Sequence, residues 1–139
     1  MLAALLREVE LTDYWCEADP TLRGRLGLPM HTGNGAASCA VIYFEHEPGE
    51  HHGSHTDSAE EVVLVLEGEA EVTAGNERMR LAAGGIALVP ATVPHDLRNA
   101  GQGKLRVVGF FSSAAVISHF DETLAPFGRS MLTLGAPEE

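Results

Sequence analysis

Basic residues are scarce in this chain. Nine Lys and Arg stand against twenty Asp and Glu in 139 residues, a formal net charge of −11. No run of Lys or Arg forms a stripe, so a polyanion would meet repulsion, and the expectation is a protein without a nucleic-acid partner. The same acidity favours a cation wherever a few carboxylates gather. Cysteine is scarcer still: only Cys16 and Cys39 occur, neither in a CxxC or a Cys–His cluster. That excludes a disulfide scaffold and predicts two reduced thiols. Long hydrophobic runs are missing too, since no stretch approaches the roughly 18 apolar residues that cross a bilayer. The opening Met1–Glu8 holds a short apolar run with no basic segment before it and no small-residue cleavage site after it, unlike a signal peptide. These absences predict no membrane partner and a cytoplasmic protein.

What is present suits many short strands. Hydrophobic residues make up 45% of the chain, and 15 Gly and 7 Pro punctuate it, as tight turns between strands require. A chain of this length is one domain, able to bury roughly two-thirds of its unfolded surface. The segment 37–45, with SCAVIYFE, is β-branched and aromatic, a strand that ends at Pro48-Gly49. Glu61–Leu66 is an apolar run, and 69–73 alternates, as one hairpin. Arg78–Leu81, Ile86–Val89, His95–Asn99 and Leu105–Phe111 follow, parted by Gly75-Asn76, Gly84-Gly85, Pro90 and residues 100–103. Strands at this spacing without helices between them predict an antiparallel sandwich or barrel. Residues 2–25 read as an N-terminal arm. After Phe111, Ser112-Ser113 can cap a helix and 114–120 could form about two turns of one.

The chemistry lies in the histidines. His46, His51, His52 and His55 fall in one stretch with Asp57, Glu60 and Glu61, and His95 lies far downstream. On an uninterrupted strand, His51, His55, Asp57 and Glu61 share a face and His52 points away. Imidazole plus carboxylate, without thiolate, suits iron, manganese, nickel, copper or zinc. A single strand makes a flat site, so a ligand from across the barrel is needed. His95, after Pro90 and Pro94, is placed to supply it.

Two segments resemble the paired motifs of the cupin family. Gly49-x5-His55-x-Asp57-x3-Glu61-x6-Gly68 resembles the first motif, with Asp57 where the family has a second histidine. Gly84-x5-Pro90-x-Thr92-x2-His95-x3-Asn99 resembles the second, with Thr92 replacing a glycine. The resemblance implies an all-β, antiparallel double-stranded β-helix or jelly-roll barrel over 37–112. Residues 1–36 would be an arm packed on the barrel or exchanged with a partner, and 113–139 a short helix and tail. It also implies one divalent transition metal (Fe, Mn, Ni, Zn or Cu) on His55, Glu61 and His95. The missing ligand is Asp57 itself, His51 reaching in, or His52 brought round by a bulge near Gly53. The favoured set is His51, His55, Glu61 and His95, with Asp57 orienting one imidazole and standing as candidate general base. His46, His52 and His119 are expected on the surface, and Glu60 points outward.

The fold does not choose a reaction. The leading expectation is a metal-dependent cupin acting on or binding a small oxygen-rich molecule, as a dioxygenase, isomerase or relative. The alternative is a non-catalytic small-molecule-binding module. With no helix-turn-helix ahead of the barrel, a transcription-factor sensor is disfavoured. Resemblance and the need to cover sheet edges together predict a homodimer.

Overall fold

The structure, a computed structural model, describes residues 1–135. Among the described residues, twelve strands form two six-stranded sheets. In the first, β1 (Thr12–Cys16), β2 (Asp19–Met30), β3 (Ala40–His46), β10 (Leu105–Phe111), β5 (Glu61–Glu67) and β8 (Ile86–Val89) lie side by side in that order. In the second the order is β12 (Arg129–Leu134), β11 (Val116–Leu124), β4 (His55–Asp57), β9 (His95–Asn99), β6 (Glu69–Ala74) and β7 (Glu77–Ala82). The ladders are antiparallel, with one isolated parallel bridge between Leu22 and His51. Consecutive strands cross repeatedly between sheets, as in a jelly roll.

The alternation read from the sequence sets what faces inward. On β5, Glu61, Val63 and Val65 are buried while Val62, Leu64 and Leu66 are half-buried. Ile42 and Phe44 of β3, Val107 and Phe111 of β10, and Val116 and Phe120 of β11 join Val63 and Val65 in the space between the sheets. Each such side chain stabilises the fold by about 1.5–3 kcal/mol relative to exposure.

The expected C-terminal helix is not formed. Residues 116–124 are strand β11, and among the described residues the only helical segments are two single 3-10 turns, Leu6–Glu8 and Thr32–Asn34. The reason lies in a period of two: Val116, Ser118 and Phe120 are buried while Ile117, His119 and Asp121 are exposed, and the β-branched pair Val116-Ile117 suits a pleated surface. Ser113 closes a local turn on Ala115 instead of capping a helix. The N-terminal segment is likewise strand: β2 pairs β3 from Arg25 to Met30, and β1 pairs β2.

Thr92, the residue standing for a motif glycine, has φ of 66°. A β-branched residue in the left-handed region is strained by roughly 1–2 kcal/mol. Its N–H still donates to the Asp57 carbonyl at 2.8 Å, so the turn is kept at that cost. Thr92→Gly is expected to stabilise the protein by up to about 1 kcal/mol once the glycine's extra unfolded-state freedom is subtracted. Urea denaturation checks this, and an unchanged or lowered midpoint would contradict it.

Candidate metal centre

Strand β4 is only three residues long, and its two inward residues are His55 and Asp57. Its pairing with β9 sets His55 directly opposite His95. On its other side β11 places Ser118 opposite Asp57 and Phe120 opposite His55. Glu61 comes from the facing sheet, at the first position of β5. Four residues that are 40 positions apart at the extremes thus converge between the sheets. All four are buried.

His55 Nε2 lies 3.4 Å and His95 Nε2 3.1 Å from Asp57 Oδ2, and Glu61 Oε1 is 3.6 Å from His95 Nε2. Donor atoms of His55, Asp57 and His95 all lie within 4.8 Å of one another. The second ring nitrogens are already used: His55 Nδ1 donates to the Gly53 carbonyl at 2.7 Å, and His95 Nδ1 to the Val93 carbonyl at 2.8 Å. With Nδ1 protonated, each neutral ring turns a bare Nε2 toward the shared point, the tautomer a metal takes. Ser118 Oγ donates to Asp57 Oδ1 at 2.5 Å, which fixes the carboxylate and leaves Oδ2 for the cluster. Phe120 stacks on His55 at 4.5 Å between centroids.

Two atoms here are buried without a hydrogen bond, Asp57 Oδ2 and His95 Nε2. They approach closely but are misaligned. Orphaned buried polar atoms are costly and rare, and a shared cation would satisfy both. Ligands roughly 2.0–2.2 Å from one ion are themselves about 3–3.6 Å apart, which matches the spacings above. Two neutral imidazoles and two carboxylates also balance a divalent charge. The residues therefore fit a metal.

The electrostatics point the same way. Burial opposes charge on His95, but Asp57, Glu61 and the Val93 carbonyl outweigh it and hold its pKa at about 10. Burial also opposes charge on Asp57, but the close imidazoles of His55 and His95, with the Ser118 hydroxyl, outweigh it, so its carboxyl is ionised well below the usual range. For Glu61 burial prevails and, with Asp57 repelling, raises its pKa despite His95. The cluster demands a positive charge, and without a metal a proton on His95 supplies it.

The other histidines are arranged differently from the sequence reading. His51 is turned away from the cluster: Nδ1 is 2.7 Å from Asp96 Oδ2 and Nε2 is 2.8 Å from Asp19 Oδ2. His52 and His46, expected on the surface, are both buried. The strand-parity argument fails at Gly53, whose φ of 109° breaks the extended backbone between His51 and His55. The His52 ring lies 5.3 Å from that of His55. Burial, with His55 and His46 adding repulsion, depresses the His52 pKa far below the ordinary value, and burial brings His46 to about 4. His119 and Glu60 are exposed as expected.

Sequence reasoning passed over Ser118, Gly109 and Asp96. A Cβ on Gly109 would run into the Glu61 carboxylate, so the bare glycine on β10 makes room for it. Asp96 Oδ1 accepts from the Gly53 and Leu97 N–H groups and holds the bend before His55. No motif spacing marks any of the three. A cavity of about 30 Å³ adjoins the cluster, walled chiefly by Phe44, Val63, Leu97, Phe111 and Phe120, room for on the order of two or three water-sized groups.

Among known proteins, the chain is 30% identical over 80 residues to the HTH-type transcriptional regulator PuuR of Escherichia coli (strain K12), and equally to that of Shigella flexneri. The match takes in 57% of this chain and 43% of each relative. The chain thus spans less than half the length of these curated relatives. The finding overturns the exclusion of nucleic acid and of regulators drawn from acidity and from the missing helix-turn-helix. Net charge describes the average field of this chain alone, while a regulator's length extends well beyond the matched segment. The partner expectation built on it is withdrawn. No helix among the described residues is long and apolar enough to cross a membrane.

Solved structures similar in fold include a serine-to-alanine variant of oxalate decarboxylase from Bacillus subtilis, with TM-score 0.71 and 18% identity over 84% of this chain and 31% of that one. A tryptophan-to-tyrosine variant gives 0.67 and 20% over 78% and 29%. A structure of that enzyme concerned with its Mn(II) centres gives 0.62 and 20% over 66% and 26%. At these identities the likeness is one of fold. The cupin domain profile matches residues 42–111, half of the chain, and takes in both motifs and all four clustered residues. With the two-sheet antiparallel barrel, this places the chain in the cupin family.

Proposed function

We propose that this cupin holds one divalent transition metal on His55, Asp57, Glu61 and His95 and offers its open side to a small oxygen-rich molecule in the adjoining cavity. The observation that carries the reading is the pair of orphaned buried atoms, Asp57 Oδ2 and His95 Nε2, beside a second bare Nε2 and a second carboxylate. Asp57 is read as a ligand, not as a general base, and His51 as a brace between Asp19 and Asp96. A bound ion supplies Lewis-acid polarisation of an oxygen ligand. The chain's own residues orient the donors, exclude bulk water through the apolar wall, and hold the proton that a metal displaces. N/O donors admit Fe, Mn, Ni, Zn or Cu, and Mn(II) has support from the fold neighbour with Mn(II) centres.

A second reading, ligand binding without turnover as a sensory module, is favoured by the similarity to a transcriptional regulator. Elemental analysis tests the part common to both: about one metal per chain is expected, and a chain that neither carries nor takes up metal refutes it. Incubating the metal-loaded protein with a panel of small hydroxy and keto acids, followed by NMR, separates them. New products favour an enzyme, and saturable binding without products favours the module.

Gly109→Ala provides a further check. The added methyl must displace the Glu61 carboxylate, so the expectation is a fold weakened by about 1–3 kcal/mol and metal affinity lowered roughly 10- to 100-fold. Denaturant titration and metal titration measure the two effects. Unchanged metal affinity would remove Glu61 from the ligand set.

A further inference from the structure

Behind His55 lies a second buried group that the metal reading does not use: Tyr14, His46 and His52. Its hydrogen bonds fix where the protons sit. His46 Nδ1 is 2.7 Å from the Arg23 carbonyl, which can only accept, so that nitrogen carries the proton and the neutral ring leaves Nε2 bare. Bare His46 Nε2 is 3.3 Å from His52 Nδ1. Were His52 Nδ1 also bare, two lone pairs would face each other in a buried site. With a proton on His52 Nδ1, His46 Nε2 accepts it, the Tyr14 oxygen at 2.6 Å accepts as well, and the Tyr14 hydroxyl is free to donate to the His52 carbonyl at 3.3 Å. This arrangement gives Tyr14, both nitrogens of His46 and His52 Nδ1 a partner and sets no two lone pairs face to face. It leaves His52 Nε2 unprotonated and without a hydrogen-bond partner among the described residues. His52 lines the cavity next to the metal cluster, whereas Tyr14 and His46 lie outside that cavity, so the ring edge opposite its partners is the one that faces in.

We propose that His52, locked in one tautomer by His46 and Tyr14, is the specificity-determining acceptor of the metal cavity. It selects small ligands that carry an O–H donor beside their metal-binding oxygen, such as 2-hydroxycarboxylates, over carboxylates without one. This deepens the proposed function and rests on it, while the tautomer itself does not.

Two arms test it. In metal-free protein with ¹⁵N-labelled histidine rings, two-bond ¹H–¹⁵N spectra are expected to show His52 protonated at Nδ1 and bare at Nε2, with the preference lost in His46→Phe. An Nε2-protonated His52 overturns the proposal, whether or not metal binds. In the second arm, Mn(II)-loaded wild type and His52→Phe are titrated with glycolate and with acetate. Glycolate binding is expected to weaken about tenfold in the variant, the size of one lost hydrogen bond, while acetate and Mn(II) binding stay within about threefold. Equal losses for both acids, loss for neither, or no glycolate binding to Mn(II)-loaded wild type would overturn the selectivity. If His52→Phe does not fold, His46→Phe carries the same titration, with the glycolate preference expected to fall. Should wild type refuse Mn(II), the same titration is run with Zn(II) or Ni(II); uptake of no divalent transition metal sinks the proposed function and the selectivity together, and leaves the tautomer result readable.

Discussion

His95→Ala is expected to weaken divalent-metal binding at least about 100-fold, because outer partners of metal ligands already contribute 10- to 100-fold and the proposed function makes His95 a ligand itself. Its Nε2 lies nearest the orphaned Asp57 oxygen, and its backbone-anchored Nδ1 fixes its aim. The variant also leaves the Asp57 carboxylate buried without its cation, so the metal-free protein should lose about 3–5 kcal/mol. His51→Ala is the informative control. Both of its ring nitrogens are engaged by Asp19 and Asp96, so metal affinity should stay within about threefold while the fold loosens. Isothermal titration with Mn(II) or Zn(II) measures both. Equal losses in the two variants would contradict the ligand set.

Metal affinity and metal-free stability should change with pH in opposite directions. Asp57 and Glu61 raise the folded-state pKa of His95 to about 10 against an ordinary 6.5, overcoming the effect of burial. A raised folded pKa contributes stability that is fully present below about 6.5 and is lost as pH climbs through about 10. Metal-free protein should therefore unfold more readily across that window. A metal must displace the same proton, so its apparent affinity should rise about tenfold per pH unit below pH 10, with close to one proton released per ion. Titration at one pH in two buffers of different ionisation enthalpy counts that proton. Zero protons released near pH 8, or metal-free stability that rises between pH 7 and 9, would contradict this account. Metal-loaded protein should show a flatter stability profile, since its His95 Nε2 carries no proton to lose.

Much of the barrel was legible because its strands are locally consistent. The apolar runs at 61–66, 86–89 and 105–111 and the turns between them correspond to β5, β8 and β10. The outer elements were harder. β2 contains Pro20, Gly24, Gly27 and Pro29 and shifts register between Gly27 and Met30, so the segment carries little strand signal of its own and its pairing with β3 comes from the barrel edge it lies on. The 114–120 segment satisfies helix capping and composition, and only burial against β4 and β12 selects the extended form. At the site, two motifs supplied His55, Asp57, Glu61 and His95, and strand parity supplied His51. Parity presumes a continuous strand, and a positive-φ glycine between His51 and His55 breaks it. The neighbours that hold the cluster, Ser118 and Gly109, are set by cross-strand register, which no short motif records.

The central claim is most directly tested by an anomalous difference map at the metal absorption edge, from crystals of protein loaded with Mn(II) or Zn(II). The account predicts one strong peak per chain in contact with His55 Nε2, His95 Nε2 and the carboxylates of Asp57 and Glu61. A peak between His51, Asp19 and Asp96, or none within reach of both His55 and His95, would contradict it.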